Sequence, residues 1–136
     1  MTDYAALSPA QARSLFRSGE LCRPTAGFCA GYAQANLVVL PADCAYDFLL
    51  YAQRNPKACP VLEVADRGSR SLRYTASGAD IARDLPKYRL YEKGVLVEEL
   101  PSVEHLWRQD FTAFLIGCSF SFEAELLEAG IPVRHI

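Results

Sequence analysis

The stretch Gly117-Cys118-Ser119-Phe120-Ser121-Phe122-Glu123 offers the best local chemistry in the sequence. It reads as a turn from a strand into a helix. There, amides without intrahelical partners and the helix dipole favour a carboxylate or a developing oxyanion. Glu123, in the first helical turn, suits the dipole and can also carry a proton. The segment half-matches the Gly-x-Ser-x-Gly elbow of serine hydrolases, with Ser121 standing where the last glycine belongs. Such an elbow needs a histidine and an acid further along, and His135 is the one histidine after Ser119. The plainer alternative is that Ser119 or Ser121 caps the helix while Cys118 fills a small space in the core.

Three other groups of residues suit a small polar ligand. Arg54 and Asn55 sit at a helix end before Pro56, where a guanidinium can grip a carboxylate through two hydrogen bonds and an amide can orient it. The helix dipole by itself also favours an arginine there, and asparagine before proline is ordinary loop chemistry. Gln34 and Asn36 place two neutral amides before a strand, where amides more often satisfy loop backbone. His135 with Arg134 offers a proton shuttle and a cation, although a lone histidine is commonly structural or solvated.

The elements that must position these residues follow from local pattern. Ser8-Pro9-Ala10-Gln11 combines an N-cap hydroxyl, proline at the first helical position and a capping-box glutamine, so a helix runs over about 9–18 and stops at Gly19. Leu15 and Phe16 anchor its buried side, and Arg13 and Arg17 face solvent. Residues 37–40 form an apolar strand closed by Pro41. A helix over 43–54 buries Tyr46, Leu49 and Leu50, with Phe48 on the flank. Pro56 and Pro60 end it, and strands follow at 61–64 and 72–75. Glu92-Lys93-Gly94 joins strands at 87–91 and 95–98 as a hairpin. A short helix at 101–107, a buried strand at 111–116, a helix at 122–128 capped by Gly130 and an extended segment at 131–136 complete the chain. The fold class is therefore α/β, layered, with a mixed sheet that includes the hairpin near 87–98.

Composition narrows the function classes. The 136 residues, 51% hydrophobic, suffice for one domain core. A net charge of -2 gives no cationic field for nucleic acid or anionic lipid, so neither nucleic acid nor membrane is an expected partner. The five cysteines are scattered without a CxxC pair and have two histidines for company, so no metal or other cofactor is expected. Charged residues interrupt every apolar run, and the start lacks a signal-peptide pattern, which together point to a reducing cytoplasm.

Several longer words then stand out in order: Thr25-Ala26-Gly27, Gly31-Tyr32, Gln34-Ala35-Asn36-Leu37, Gln53-Arg54-Asn55-Pro56-Lys57, Asp84-Leu85-Pro86-Lys87-Tyr88-Arg89, Leu106-Trp107 and Phe114 through Glu123. Together, from about Ser8 to His135, they resemble the hydro-lyase family that includes mitochondrial D-glutamate cyclase. Family members run to roughly twice this length, so the resemblance implies the N-terminal half of a longer domain. It also implies loss of water from D-glutamate to give 5-oxo-D-proline. That reaction demands a clamp on the α-carboxylate, an oxyanion donor and a proton carrier. On chemical suitability, Arg54 and Asn55 are cast as the clamp, the amides at 119–121 as the oxyanion site and Glu123 as the carrier. Gln34, Asn36, Cys118 and His135 complete the candidate substrate contacts, and Ser119 and Ser121 join Glu123 as candidate catalytic residues. Two further readings remain: a non-catalytic module that binds a small carboxylate, and a truncated assembly element that covers its exposed edge in a homo-oligomer.

Overall fold

The computed structural model describes residues 1–134 and 136. Its elements run α1 (Pro9–Arg17), β1 (Ala35–Pro41), α2 (Ala42–Arg54), β2 (Val61–Val64), β3 (Tyr88–Glu92), β4 (Val95–Leu100), a 3-10 turn (Glu104–Leu106), β5 (Phe111–Gly117) and α3 (Phe120–Glu128). Helices and strands are both present, consistent with the α/β class, although β2, β3 and β4 follow one another without a helix between them. The pairing is more uniform than a mixed sheet, because every ladder among the described residues is antiparallel. The hairpin β3–β4 also forms a two-stranded sheet of its own. Its turn places Lys93 and Gly94 at φ 49° and 79°, the left-handed geometry that matches hairpin twist.

The three-stranded sheet has the order β1-β5-β2. β1 and β2 each run antiparallel to β5, so they are parallel to one another with β5 between them. α2 is their crossover, which makes β1-α2-β2 a split β-α-β unit. Phe114 of β5 is 1% exposed and meets Phe48 of α2 edge-on, with ring centroids 4.9 Å apart. The opposite face of the sheet holds a core of Ala65, Ile81 and Ala113, with Leu37, Val39, Leu72 and Trp107 against it. A second core lies under α1, where Ala12 and Phe16 pack on Phe28 and Cys29.

Local signals fix α1 closely. Ser8 and Gln11 form the full capping box, and Phe16 is buried. Arg13 and Arg17 do not simply face solvent. Arg17 makes two hydrogen bonds of 2.6 Å to the Asp84 carboxylate, and Arg13 donates to the Ser77 carbonyl. Both arginines thus tie α1 to the 77–84 segment.

α2 turns a different face inward than its apolar spacing implies. Ala52 is its buried residue, while Tyr46 and Leu49 are 70% and 37% exposed. Residues 72–75 form no strand. The Glu63 carboxylate accepts the amides of Arg73, Tyr74 and Thr75, so a side chain takes the place of a ladder partner. The helix expected at 101–107 contracts to one 3-10 turn, and the described part of 131–136 holds no strand.

Candidate active site

The C-terminal end of β5 gathers most of the candidate residues. In register, Gly117 stands opposite Ala35 and Ile116 opposite Asn36. On the other side the Gly117 amide donates 2.8 Å to the Pro60 carbonyl. A Cβ on Gly117 would come within 3.0 Å of the Pro60 ring, so glycine lets the 55–60 loop lie directly on the strand end. α2 starts at the far end of β1 and runs back, which returns Arg54 and Asn55 to this same end of the sheet.

The turn itself is held by a latch. The Gln34 amide donates to Ser121 Oγ at 2.8 Å, and the Ser121 hydroxyl lies 3.3 Å from the Gln34 carbonyl, to which it donates. The Gln34 side chain in turn donates to the carbonyls of Thr25 and Phe28, at 2.8 Å and 3.3 Å, and its Oε1 accepts from the Thr25 hydroxyl. Gln34 therefore fastens the 25–28 loop to the start of α3. Gly27 and Gly31 take φ of 78° and 81° in this loop, backbone open to glycine without a Cβ clash. Thr25 and the latch were not among the sequence candidates. The signal was present in Thr25-Ala26-Gly27, whose small residues concealed any periodicity.

The remaining candidates divide by what already occupies them. The Phe120 amide donates to Cys118 Sγ at 3.3 Å, the Ser121 amide to the Cys118 carbonyl and the Phe122 amide to the Ser119 carbonyl. Those peptide groups are thus engaged locally. Ser119 is the exposed N-cap, and its side chain makes no capping bond. Asn55 Nδ2 donates 2.8 Å to the Tyr51 carbonyl and so closes α2, which spends half of its amide on the helix end. The Arg54 side chain is exposed and has no hydrogen-bond or ion-pair partner among the described residues. Asn36 is exposed on β1, and Glu123 is half-buried in the first turn of α3. The candidate His135 lies outside the described residues.

Two shallow hollows, about 350 and 280 Å³, lie elsewhere, around Arg17 with Arg83 and around Arg13 with Ser77. None of the nominated residues lines either. Behind the first is a charge cluster that local sequence pattern does not reveal. Arg70 bridges Asp80 and Glu104, and Arg83 lies 3.3 Å from Asp80. Asp84 is buried; burial alone would raise its pKa, but the Arg17 guanidinium and the Asp80 amide outweigh that and hold it below the ordinary value. Its positive and negative groups pair with one another, as in a structural network. Among the described residues no three His, Cys, Asp or Glu side chains gather in a metal-binding group. Among the described residues no helix is long and apolar enough to cross a membrane.

Known proteins resemble this chain along nearly its whole length. The D-glutamate cyclase family profile matches residues 112–136, which hold β5, the turn and α3. A Clostridium beijerinckii protein named "Putative hydro-lyase" is 69% identical over 98% of this chain and 51% of its own length. Proteins of the same description from Thermoanaerobacter sp. and Psychrobacter arcticus are 58% and 53% identical, over 98% and 100% of this chain. The chain spans about half the length of the curated relatives it matches, 51% and 52% of these two.

Proposed function

We propose, from the premise that this chain belongs to the hydro-lyase and D-glutamate cyclase family, that it forms part of a cytoplasmic enzyme acting on a small amino-acid carboxylate. The reaction is the intramolecular dehydration of D-glutamate to 5-oxo-D-proline. The α-amine attacks the γ-carboxyl carbon, a C–N bond forms, a C–O bond breaks and water leaves. The amine proton must pass to a base and a proton must reach the departing oxygen.

The supporting observation is the strand-turn-helix at Gly117 to Ser121, flanked by Asn36 on one side and Pro60 on the other and pinned by the Gln34 latch. In this reading Arg54 grips the α-carboxylate, since its guanidinium is exposed and has no ion-pair partner among the described residues. Ser119, with an exposed side chain that makes no capping bond, supplies the oxyanion donor. Glu123 carries the proton. Asn55 and Asn36 orient the substrate, and Gln34, Ser121 and Cys118 hold the turn in place rather than touch the substrate.

Incubation of D-glutamate with the full-length relative from Clostridium beijerinckii, followed by detection of 5-oxoproline, tests the reaction. Formation from the D- but not the L-isomer is expected. A thermal shift with glutamate and no product would instead assign the site to carboxylate binding, and neither would remove both readings.

A further inference from the structure

α3 is built like a packed helix but buries nothing. Among its nine residues none is buried, although Phe122 and Leu126, one turn apart, are apolar. Phe122 is 65% exposed, and Leu127 and Ile131 beyond it are 58% and 51% exposed. An amphipathic or apolar helix normally gains its stability by covering such a face. α3 is instead held at its start through Ser121 and Gln34.

A second unfinished surface leaves from the same end of β5. β2 is an outer strand of the order β1-β5-β2, with no strand beside its free edge among the described residues. Val64 stands opposite Phe114 and so shares the side of the sheet that α2 covers. α2 packs over β1 and β5, while Leu62 and Val64 of β2 remain 44% and 38% exposed. A bare edge and an uncovered apolar flank are features that stable proteins hide.

The size of the relatives indicates what hides them. Proteins that match nearly all of this chain, at 53 to 69% identity, carry about as much polypeptide again, since the match spans 51 or 52% of them. The family profile, moreover, falls on β5 and α3, the elements beside these surfaces. We infer that the outer edge of β2 and the apolar side of α3 form the seat for the family's other half, which packs on them within the same polypeptide. A second copy of this chain is the less suitable occupant, because a four-residue edge supplies few ladder bonds for a stable dimer.

Peptide-resolved hydrogen exchange on this chain and on the full-length Clostridium beijerinckii relative tests the inference. In the relative, the segments aligned with 61–64 and 120–128 should exchange at least about tenfold more slowly than here, with the hairpin at 88–100 unchanged. Equal exchange in both proteins overturns it. So does self-association of this chain, seen by sedimentation, that brings the same segments to the relative's level. A second arm reads the relative by itself: Phe122→Asp, made at the aligned position, should lower its Tm by at least about 5 °C. An unchanged Tm overturns the inference whether or not the shorter chain is stable.

Discussion

Glu63 is a buried carboxylate without a cationic partner among the described residues, and its neighbours show how it stays charged. Burial alone would raise its pKa; the Thr75 hydroxyl and the amides of Arg73, Thr75 and Tyr74 reverse that and leave it lowered. Glu63→Gln keeps the shape but turns an NH2 toward donors. A loss of about 2 kcal/mol is expected, read as a lower denaturant midpoint with an unchanged slope. Arg54 is the opposite case. Its exposure, and the lack of a side-chain partner among the described residues, mean that Arg54→Ala should change stability by less than about 0.5 kcal/mol. Under the proposed function the same substitution, made at the aligned position of the full-length relative, should abolish the thermal shift with D-glutamate. A retained shift would remove Arg54 from the site.

Among the elements, those with strong local signals could be read from the sequence, and those made by distant partners could not. The Ser8–Gln11 capping box marks α1, the prolines bound β2, and Lys93-Gly94 marks the hairpin. By contrast, the 72–75 segment is extended in its residue types yet is held by a side chain on β2, which no local periodicity encodes. The inward face of α2 departs from its apolar spacing for a similar reason: Phe48 is drawn to Phe114 on the sheet, so Tyr46 and Leu49 turn outward. At the candidate site the strand-turn-helix was visible in residues 111 to 123, whereas the latch joins residues 87 apart. Ser121→Ala removes both bonds of that latch while leaving the helix sequence otherwise intact. Because α3 buries none of its residues, faster amide exchange throughout 120–128 is expected, with β5 unaffected. Phe114→Ala should act globally instead, costing about 3–5 kcal/mol through the cavity between α2 and the sheet.

For the whole molecule, the carboxylates set the response to acid. Glu63, Asp80 and Asp84 all have pKa values below their ordinary 4.5, 3.8 and 3.8: for each, burial opposes ionisation but hydrogen bonds, with guanidinium partners for the two aspartates, prevail. A group whose pKa is lowered by folding binds its proton more readily in the unfolded chain. Its contribution is therefore complete above the unfolded value and disappears as pH falls through the folded one. Stability should accordingly stay nearly level from pH 7 to about 5 and decline below about 4.5, where protonation favours the unfolded state. The decline removes contacts that α1, β2 and the 70–84 segment share, since Asp84 holds Arg17 and Glu63 holds 73–75. Glu63→Gln should flatten the acid limb of a denaturation profile taken at several pH values, as well as lower its plateau. If the variant and parent lose stability in parallel below pH 4.5, the Glu63 carboxylate does not drive that loss.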